Sequence, residues 1–585
     1  MQNNGKTIND FSWKVAGAAG DGILNAGLCM FAKTCIRGGL YVFANAEYPS
    51  LIRGGHNHLD VRISDKRVCS HSKYIDLLIA LNRESIDKHT YKLNQGGGII
   101  YDGDKITLQN GDVRDDVNLY PVPLLKLAEE CGGGIMRNTV AIGATFALID
   151  FDLDSLSNVI KDNFAKKGEQ VIEANIKAAK AGYDYLRKNF GNGFGHKLER
   201  AENGERIFLS GNEAISAGAV KAGCKFFAAY PMTPASSILH NMAAMENKYN
   251  IVVKHTEDEI AAINMVIGAS FAGVRSMTAT SGGGFALMAE GLGLAAQTET
   301  PIVAVEAQRP GPATGMATHS SQGDLRFMLH ASTDEFPRIV IAPGDVEDCF
   351  YKTIDAFNLA EKYQLPVIIL TDKYLGESYA TAKEFDNGIK NERYSFVNNS
   401  ELKNNGEYKR YELTGSGVSP RSIPSQQGGE FTASSYEHDE YGFEREEKGI
   451  RVAMHDKRYK KFEEAAKEIP DPEIHGPGDA EITIIGWGST KGPILEAMRM
   501  LDKEGIKTNY LQVIFVSPFP VKKVEDVIKK ANKTVIVENN KTAQMAGIIK
   551  ENTGLDVDHK VLKYDGRPFS PEEICVRIKE LMSNG

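Results

Sequence analysis

Residues 225–259 read KFFAAYPMTPASSILHNMAAMENKYNIVVKHTEDE, and their reading decides the fold. Phe226 to Tyr230 is a short apolar run of the kind that forms a buried parallel strand. Pro231 and Pro234 bracket Thr233 in a tight turn, because each proline restricts its own φ and the residue before it. A helix is predicted from about Ser236. The turn therefore aims Thr233 and free backbone N–H groups at one point beside a helix N-terminus, which suits a small anion. A second apolar run, Ile251 to Val253, leads to Glu257, Asp258 and Glu259. A long helix rich in Ala and Gly follows from Ile260 to Gly273. An ordinary strand–helix turn with no ligand is the competing reading of these residues alone.

Outward from this stretch the strand–helix rhythm continues. Strands are expected at Ile207–Ser210, Ser276–Thr280, Pro301–Glu306, Arg338–Ile341 and Pro366–Thr371. Helices are expected over Ala286–Thr298 and Val346–Lys362. Ser281 to Gly284 reads as a loop. Alternating strands and helices imply a mostly parallel sheet. Arg309 to Asp324, RPGPATGMATHSSQGD, is a long loop of the kind that often carries function.

The chain has 585 residues, which suggests three or four domains. The boundaries read as 1–200, 201–385, an irregular connecting segment 386–475 rich in Ser, Asn, Gly, Glu and Lys, and a last α/β domain 476–585. In the first domain Gly17, Gly20 and Gly22 lie between a strand and a helix, where glycine lets backbone N–H groups approach a phosphate. Their GxxGxG spacing is not the dinucleotide fingerprint, and a tight packing turn explains them equally well. Arg53, Gly54 and Gly55 form a second turn in which an Arg could grip a phosphate or carboxylate with two hydrogen bonds. A solvated turn Arg is the plainer alternative.

Composition excludes several classes. The net charge of -9 argues against sequence-independent nucleic-acid binding. The apolar stretches break well before 18 residues, so no membrane span is expected. Residues 1–12 lack the basic and apolar regions of a signal peptide, and a cytoplasmic location is expected. Seven cysteines, none in a CxxC pair, fit neither a zinc nor an iron–sulfur site and read as reduced thiols.

Several stretches together resemble the 2-oxoacid:ferredoxin oxidoreductase family. GAAGDG (17–22) and YPSLIRGG (48–55) are similar to its γ domain. AAYPMTPASS, EDEIAAINMVIGASFAG, TATSGGGFALMAEGLG, QRPGPATG and SQGDL are similar to its α subunit, which usually has Ile where Met232 stands. GVSPRSIP and EHDEYG match its connecting segment. GWGSTKG, Pro518–Pro520 and VENN resemble its C-terminal transketolase-type domain. The resemblance implies an α/β chain of several doubly wound domains: a γ-type domain, a thiamine-enzyme pyrimidine-binding-type domain and a transketolase-type domain. It spans almost the whole chain and matches a fused γ–α subunit.

What the resemblance implies about function is specific. Such a subunit takes part in coenzyme A-dependent oxidative decarboxylation of a 2-oxoacid, with 2-oxoglutarate favoured, and electrons pass to ferredoxin. Pyruvate and branched 2-oxoacids also fit the motifs. Thiamine diphosphate with Mg²⁺ and a [4Fe–4S] cluster would sit mainly on a separate β subunit, because the GDG…Asn motif and the cluster cysteines are missing here. By resemblance Glu259 is the glutamate that contacts the aminopyrimidine ring, with Glu257 and Glu290 as competitors. Thr233 and Tyr230 would face the substrate. Its carboxylate would be neutralised by His319, which stands where the family commonly has Lys or Arg, or by Arg309. Gly17, Gly20, Gly22, Arg53, Gly54 and Gly55 would help to hold coenzyme A. A non-redox, transketolase-like subunit and a non-catalytic coenzyme A scaffold are the alternatives. Dye reduction separates the first, and the effect of Glu259→Ala the second.

Overall fold

The computed structural model describes the chain except for residues 1–4, 51–54, 192, 387, 390, 392, 405–407 and 584–585. It divides into two units. The first comprises residues 1–209, 378–384 and 570–573, and the second the remainder.

The first unit is built on an eight-stranded mixed sheet. Its order is Asn118–Val122, Leu93–Asp102, Ile75–Ala80, Asp10–Ala18, His56–Ser64, Tyr41–Glu47, Tyr379–Ala382 and Ile207–Ser210. The first four strands run parallel, whereas Asp10–Ala18, His56–Ser64 and Tyr41–Glu47 pair antiparallel. Asp10–Ala18 is buried almost throughout, and its Trp13 stacks on Phe31 with ring centroids 4.3 Å apart. Helices Arg137–Leu148 and Glu169–Phe190 meet backbone to backbone. A Cβ on Gly143 would lie 1.9 Å from the Ala179 carbonyl oxygen, and one on Gly182 would lie 2.0 Å from that of Val140. The two glycines therefore admit a packing distance that any side chain would forbid.

The second unit holds two sheets. The larger is ordered Val252–His255, Phe226–Ala229, Ser276–Thr280, Val303–Gln308, Val367–Asp372 and Ile339–Ile341, with Phe515–Ser517 added antiparallel at the edge. The first six strands are parallel. The smaller sheet is ordered Glu473–His475, Thr508–Val513, Ile482–Trp487, Thr534–Glu538 and His559–Leu562. The fold class read from the sequence is thus the one observed. Some elements differ in extent. Tyr230 lies beyond its strand, the second strand runs to His255, and the helix expected from Ala286 begins at Gly282. Strand Tyr379–Ala382 joins the first unit's sheet.

The segment read as irregular contains a 19-residue helix, Lys448–Ala466. Its apolar periodicity is weak because its inner face is charged. Lys457 and Lys461, both buried, donate to the fully buried Glu299 carboxylate at 2.7–2.8 Å. Lys461 also donates to the Gln364 carbonyl at 3.0 Å, and Arg410 to the Glu299 carbonyl at 2.9 Å. Next to this group Arg458 donates twice to Glu437, at 2.7 and 3.1 Å, and Arg451 once, at 2.8 Å. Among the described residues no helix is long and apolar enough to cross a membrane, and none of the seven cysteines is in a disulfide.

Two outcomes follow from this charged seam. Glu299→Ala strands two buried ammonium groups, so urea unfolding should show a loss of about 3–5 kcal/mol. Adding Lys457→Met and Lys461→Met should recover most of it. Glu437 is held at a pKa of about 2: burial opposes this, but the hydrogen bonds from Arg458 and Arg451 outweigh it. A depressed carboxylate stabilises fully above its unfolded pKa of about 4.5, and that stability is lost as pH falls towards 2. Glu437→Gln should therefore flatten the stability–pH curve below pH 4.5 and leave its slope at neutral pH unchanged.

Candidate functional site

The parallel strands of the larger sheet end on one edge. The turn 230–235, the N-terminus of helix Glu259–Phe271, Ser281, Arg309 and Lys373 all follow carboxyl ends of these strands. Strand Phe226–Ala229 has the next strand in the chain on one side and Ser276–Thr280 on the other, so the strand order reverses there. Open α/β sheets bind ligands at such a reversal.

The turn is fixed from several sides. Ala235 donates its N–H to the Met232 carbonyl at 2.8 Å. Buried Asn212 donates to the Pro234 carbonyl at 2.9 Å and to Ser237 Oγ at 2.7 Å. Across the edge, Arg309 Nη1 donates to the Thr233 carbonyl at 2.7 Å. The structure thus joins Arg309 to the turn directly. Tyr230 is 39% exposed, and its ring lies 6.2 Å from that of His255. His319 is half-buried elsewhere on the loop. Its N–H donates to the Met316 carbonyl, the following Ser320 N–H donates to the Gly566 carbonyl, and its Cβ lies against Gly566. Among the described residues no hydrogen bond links the His319 ring to Thr233.

Glu259 opens helix Glu259–Phe271. Asp258 is its N-cap and accepts from the Ala261 N–H at 2.7 Å, which leaves the Glu259 side chain uninvolved in capping. That side chain is 3% exposed, and its Oε1 is buried without a hydrogen-bond partner. The niche around it depends on Gly284, where a Cβ would lie 2.6 Å from Glu259 Oε1 and 2.1 Å from Thr280 Oγ1. Thr280 Oγ1 also sits 3.9 Å from Met232 Sδ, which ties the niche to the turn. The other two acids, Glu257 and Glu290, are both exposed.

Sequence reading missed a second acidic group. Glu306, the fourth residue of strand Val303–Gln308, is fully buried, and neither carboxyl oxygen receives a hydrogen bond. Burial pushes its pKa well above the ordinary carboxylate range, and the charges of Asp324 and Asp372 add to the shift. Burial also raises Asp324, which Arg309 partly offsets, and lowers Arg309, which both acids offset. The electrostatic surroundings of Arg309 are therefore shaped by these acids, of which Glu306 lies outside the sequence motifs. The loop carrying them is pinned by Gln322. Its Nε2 donates to the Trp487 carbonyl at 2.8 Å, its Oε1 accepts from the Asn539 N–H at 2.9 Å, and its carbonyl accepts from Asn540 at 3.1 Å. The only sequence signal for this was the presence of GWGST and VENN in the last domain.

In the first unit Gly20 and Gly22 adopt φ of +93° and +73°, and Gly55 of +85°. Gly17 belongs to strand Asp10–Ala18. A Cβ there would lie 2.6 Å from Asp21 Oδ2 and 3.0 Å from Leu81 Cβ. Asp21 accepts from the Ala18 N–H at 2.7 Å and pairs with Arg137. The turn therefore contains its own anion. The helix that follows the glycines is a π-helix, Asn25–Ala32, continued by Lys33–Arg37. Arg53 and Gly54 lie outside the described residues.

Comparison with known proteins accords with these features. Three family models match: "Pyruvate ferredoxin/flavodoxin oxidoreductase" over residues 12–185, "Pyruvate flavodoxin/ferredoxin oxidoreductase, thiamine diP-bdg" over 217–457, and "Pyruvate:ferredoxin oxidoreductase core domain II" over 480–574. The 2-oxoacid:ferredoxin oxidoreductase subunit alpha of Saccharolobus solfataricus is 34% identical, with 98% of each chain covered. The 2-oxoglutarate oxidoreductase subunit KorA of Mycobacterium tuberculosis is 29% identical over 96% of this chain and 90% of that one. The solved 2-oxoglutarate:ferredoxin oxidoreductase of Magnetococcus marinus, with 2-oxoglutarate, coenzyme A and succinyl-CoA bound, superposes with a TM-score of 0.92 at 34% identity, covering 98% of this chain and 99% of that one. With the sheet order, the Thr233 turn and a relative of this identity aligned along nearly its full length, the chain belongs to the 2-oxoacid:ferredoxin oxidoreductase family as an alpha-type subunit.

Proposed function

We propose that this chain is the γ–α subunit of an enzyme that oxidatively decarboxylates 2-oxoglutarate to an acyl-coenzyme A, with a separate β subunit and ferredoxin as electron acceptor. The observation that carries the reading is the Arg309–Thr233 bond on the same strand edge as Glu259. The Magnetococcus marinus relative carries 2-oxoglutarate, coenzyme A and succinyl-CoA, which supports that substrate and acceptor here.

Thiamine diphosphate fits the Glu259 niche. A buried carboxylate oxygen with no protein donor, in a space kept bare by Gly284, suits an N–H donor from a ligand ring. When bound, the cofactor supplies the electron sink that decarboxylation needs. Glu259 would hold a proton at the ring nitrogen, a role that needs a carboxylate within hydrogen-bond reach and screened from water. Arg309 would neutralise the substrate carboxylate, and Thr233, across from it, would donate its hydroxyl to the substrate's oxygens. The Mg²⁺ and [4Fe–4S] cluster belong to the β subunit in this reading. The glycine turns Gly17–Gly22 and Arg53–Gly55 are proposed to meet coenzyme A, which would replace Asp21 as the partner of Arg137.

Two measurements on the complex with the β subunit test this. Glu259→Gln should lower kcat for viologen-dye reduction by about 10²–10⁴-fold. A fall of less than threefold would remove Glu259 from the chemistry. Arg309→Met should lower kcat/KM for 2-oxoglutarate by about 10²–10³-fold, whereas His319→Ala should change it by less than about fivefold. The reverse ranking would move the carboxylate site to His319. Turnover of no 2-oxoacid by the complex would overturn the whole assignment.

A further inference from the structure

The first unit contains a cluster of three histidines that the reaction above does not use. His56 and His58 stand two residues apart on strand His56–Ser64, so both point to the same face of the sheet. His89 ends helix Arg83–His89 and reaches that face from above. One ring nitrogen from each lies within 4.8 Å of the other two. His56 Nε2 and His89 Nε2 are 2.7 Å apart. His58 and His89 are buried, and His56 is half-buried.

We infer that His56, His58 and His89 form a binding site for a divalent transition-metal ion of the zinc class. Two histidines at i and i+2 of a strand, with a third from a facing element, place three imidazole nitrogens around one point. A tetrahedral ion with bonds of about 2.0–2.1 Å needs its donors roughly 3.3 Å apart. The His56–His89 contact is therefore about 0.6 Å too short, a gap that a rotation of either ring opens. Imidazole is the donor that zinc, copper and nickel share, whereas calcium and magnesium require oxygen.

The surroundings suit an ion. His58 carries carboxylates behind it, its Nε2 being 3.4 Å from Asp60 and 3.9 Å from Glu47. Such acids orient a ligating imidazole and raise its basicity. Lys14 is the nearby cation, and it is bound to Asp60 at 2.8 Å. The Nδ1 atoms of His56 and His89 are buried without a protein partner, and the two Nε2 atoms hydrogen-bond each other, so the shared Nε2 proton moves to an Nδ1 or leaves when an ion binds. Three nitrogens leave a fourth position for water or an anion. The site stands independently of the coenzyme A reading.

The test uses the full-length chain, stripped with a chelator and titrated with Zn²⁺ by calorimetry and with Co²⁺ by visible absorption. One equivalent should bind, and Co²⁺ should give the intense bands of a four-coordinate site. His89→Ala and His56→Gln should each weaken binding by more than about 100-fold. Zn²⁺ should raise the melting temperature of the wild type and not that of His56→Gln. If His89→Ala fails to fold, His56→Gln decides, since that ring lies at the edge of the cluster. Failure of the wild type to bind one equivalent would overturn the proposal. So would unchanged affinity in His56→Gln, which would place the ion elsewhere.

Discussion

Parallel pairing is the constraint on which the catalytic edge rests. A parallel strand must return by a crossover, so the six parallel strands of the larger sheet in the second unit send their carboxyl ends to the same side. Phe226–Ala229 pairs in register with Val252–His255 and with Ser276–Thr280. The turn at Thr233, the start of the Glu259 helix and the Gly284 helix are brought together by that pairing before any side chain makes a contact. The loop after Val303–Gln308 then needs only one bond, Arg309 to Thr233, to close the group.

Legibility in the sequence followed the kind of force involved. The strands and helices of the second unit were readable because apolar periodicity reports burial. The start of helix Glu259–Phe271 was readable because acidic residues cluster there, and Asp258 takes the cap. The helix Lys448–Ala466 was not readable, because Lys457, Arg458 and Lys461 lie with Met454 and Ala465 on the side it buries and look like a solvated face in one dimension. Strand Tyr41–Glu47 was passed over as well, since only its pairing with His56–Ser64 gives it an identity.

The candidate site was legible only where a motif carries the chemistry. Glu259, Thr233 and Arg309 stand inside recognisable stretches. Glu306 does not, because a carboxyl in a strand becomes unusual only once it is buried without a donor. Gln322 reads as an ordinary loop amide until Trp487, Asn539 and Asn540 close around it, more than 160 residues later. The glycine turn was readable as a turn, but its occupant Asp21 was not. A side chain that folds back on its own loop leaves no periodic trace.

The Glu299 seam has a consequence for how the chain varies. An apolar helix can slide or re-register on an apolar surface at small cost, and its positions drift independently. A buried carboxylate shared by Lys457 and Lys461 permits no such drift, because losing Glu299 leaves two ammonium groups without water or counter-ion. Positions 299, 457 and 461 should therefore change as a set among relatives, either all ionic or all apolar. A chimera that takes residues 448–466 from one parent and residue 299 from another should fail to join unless both parents made the same choice.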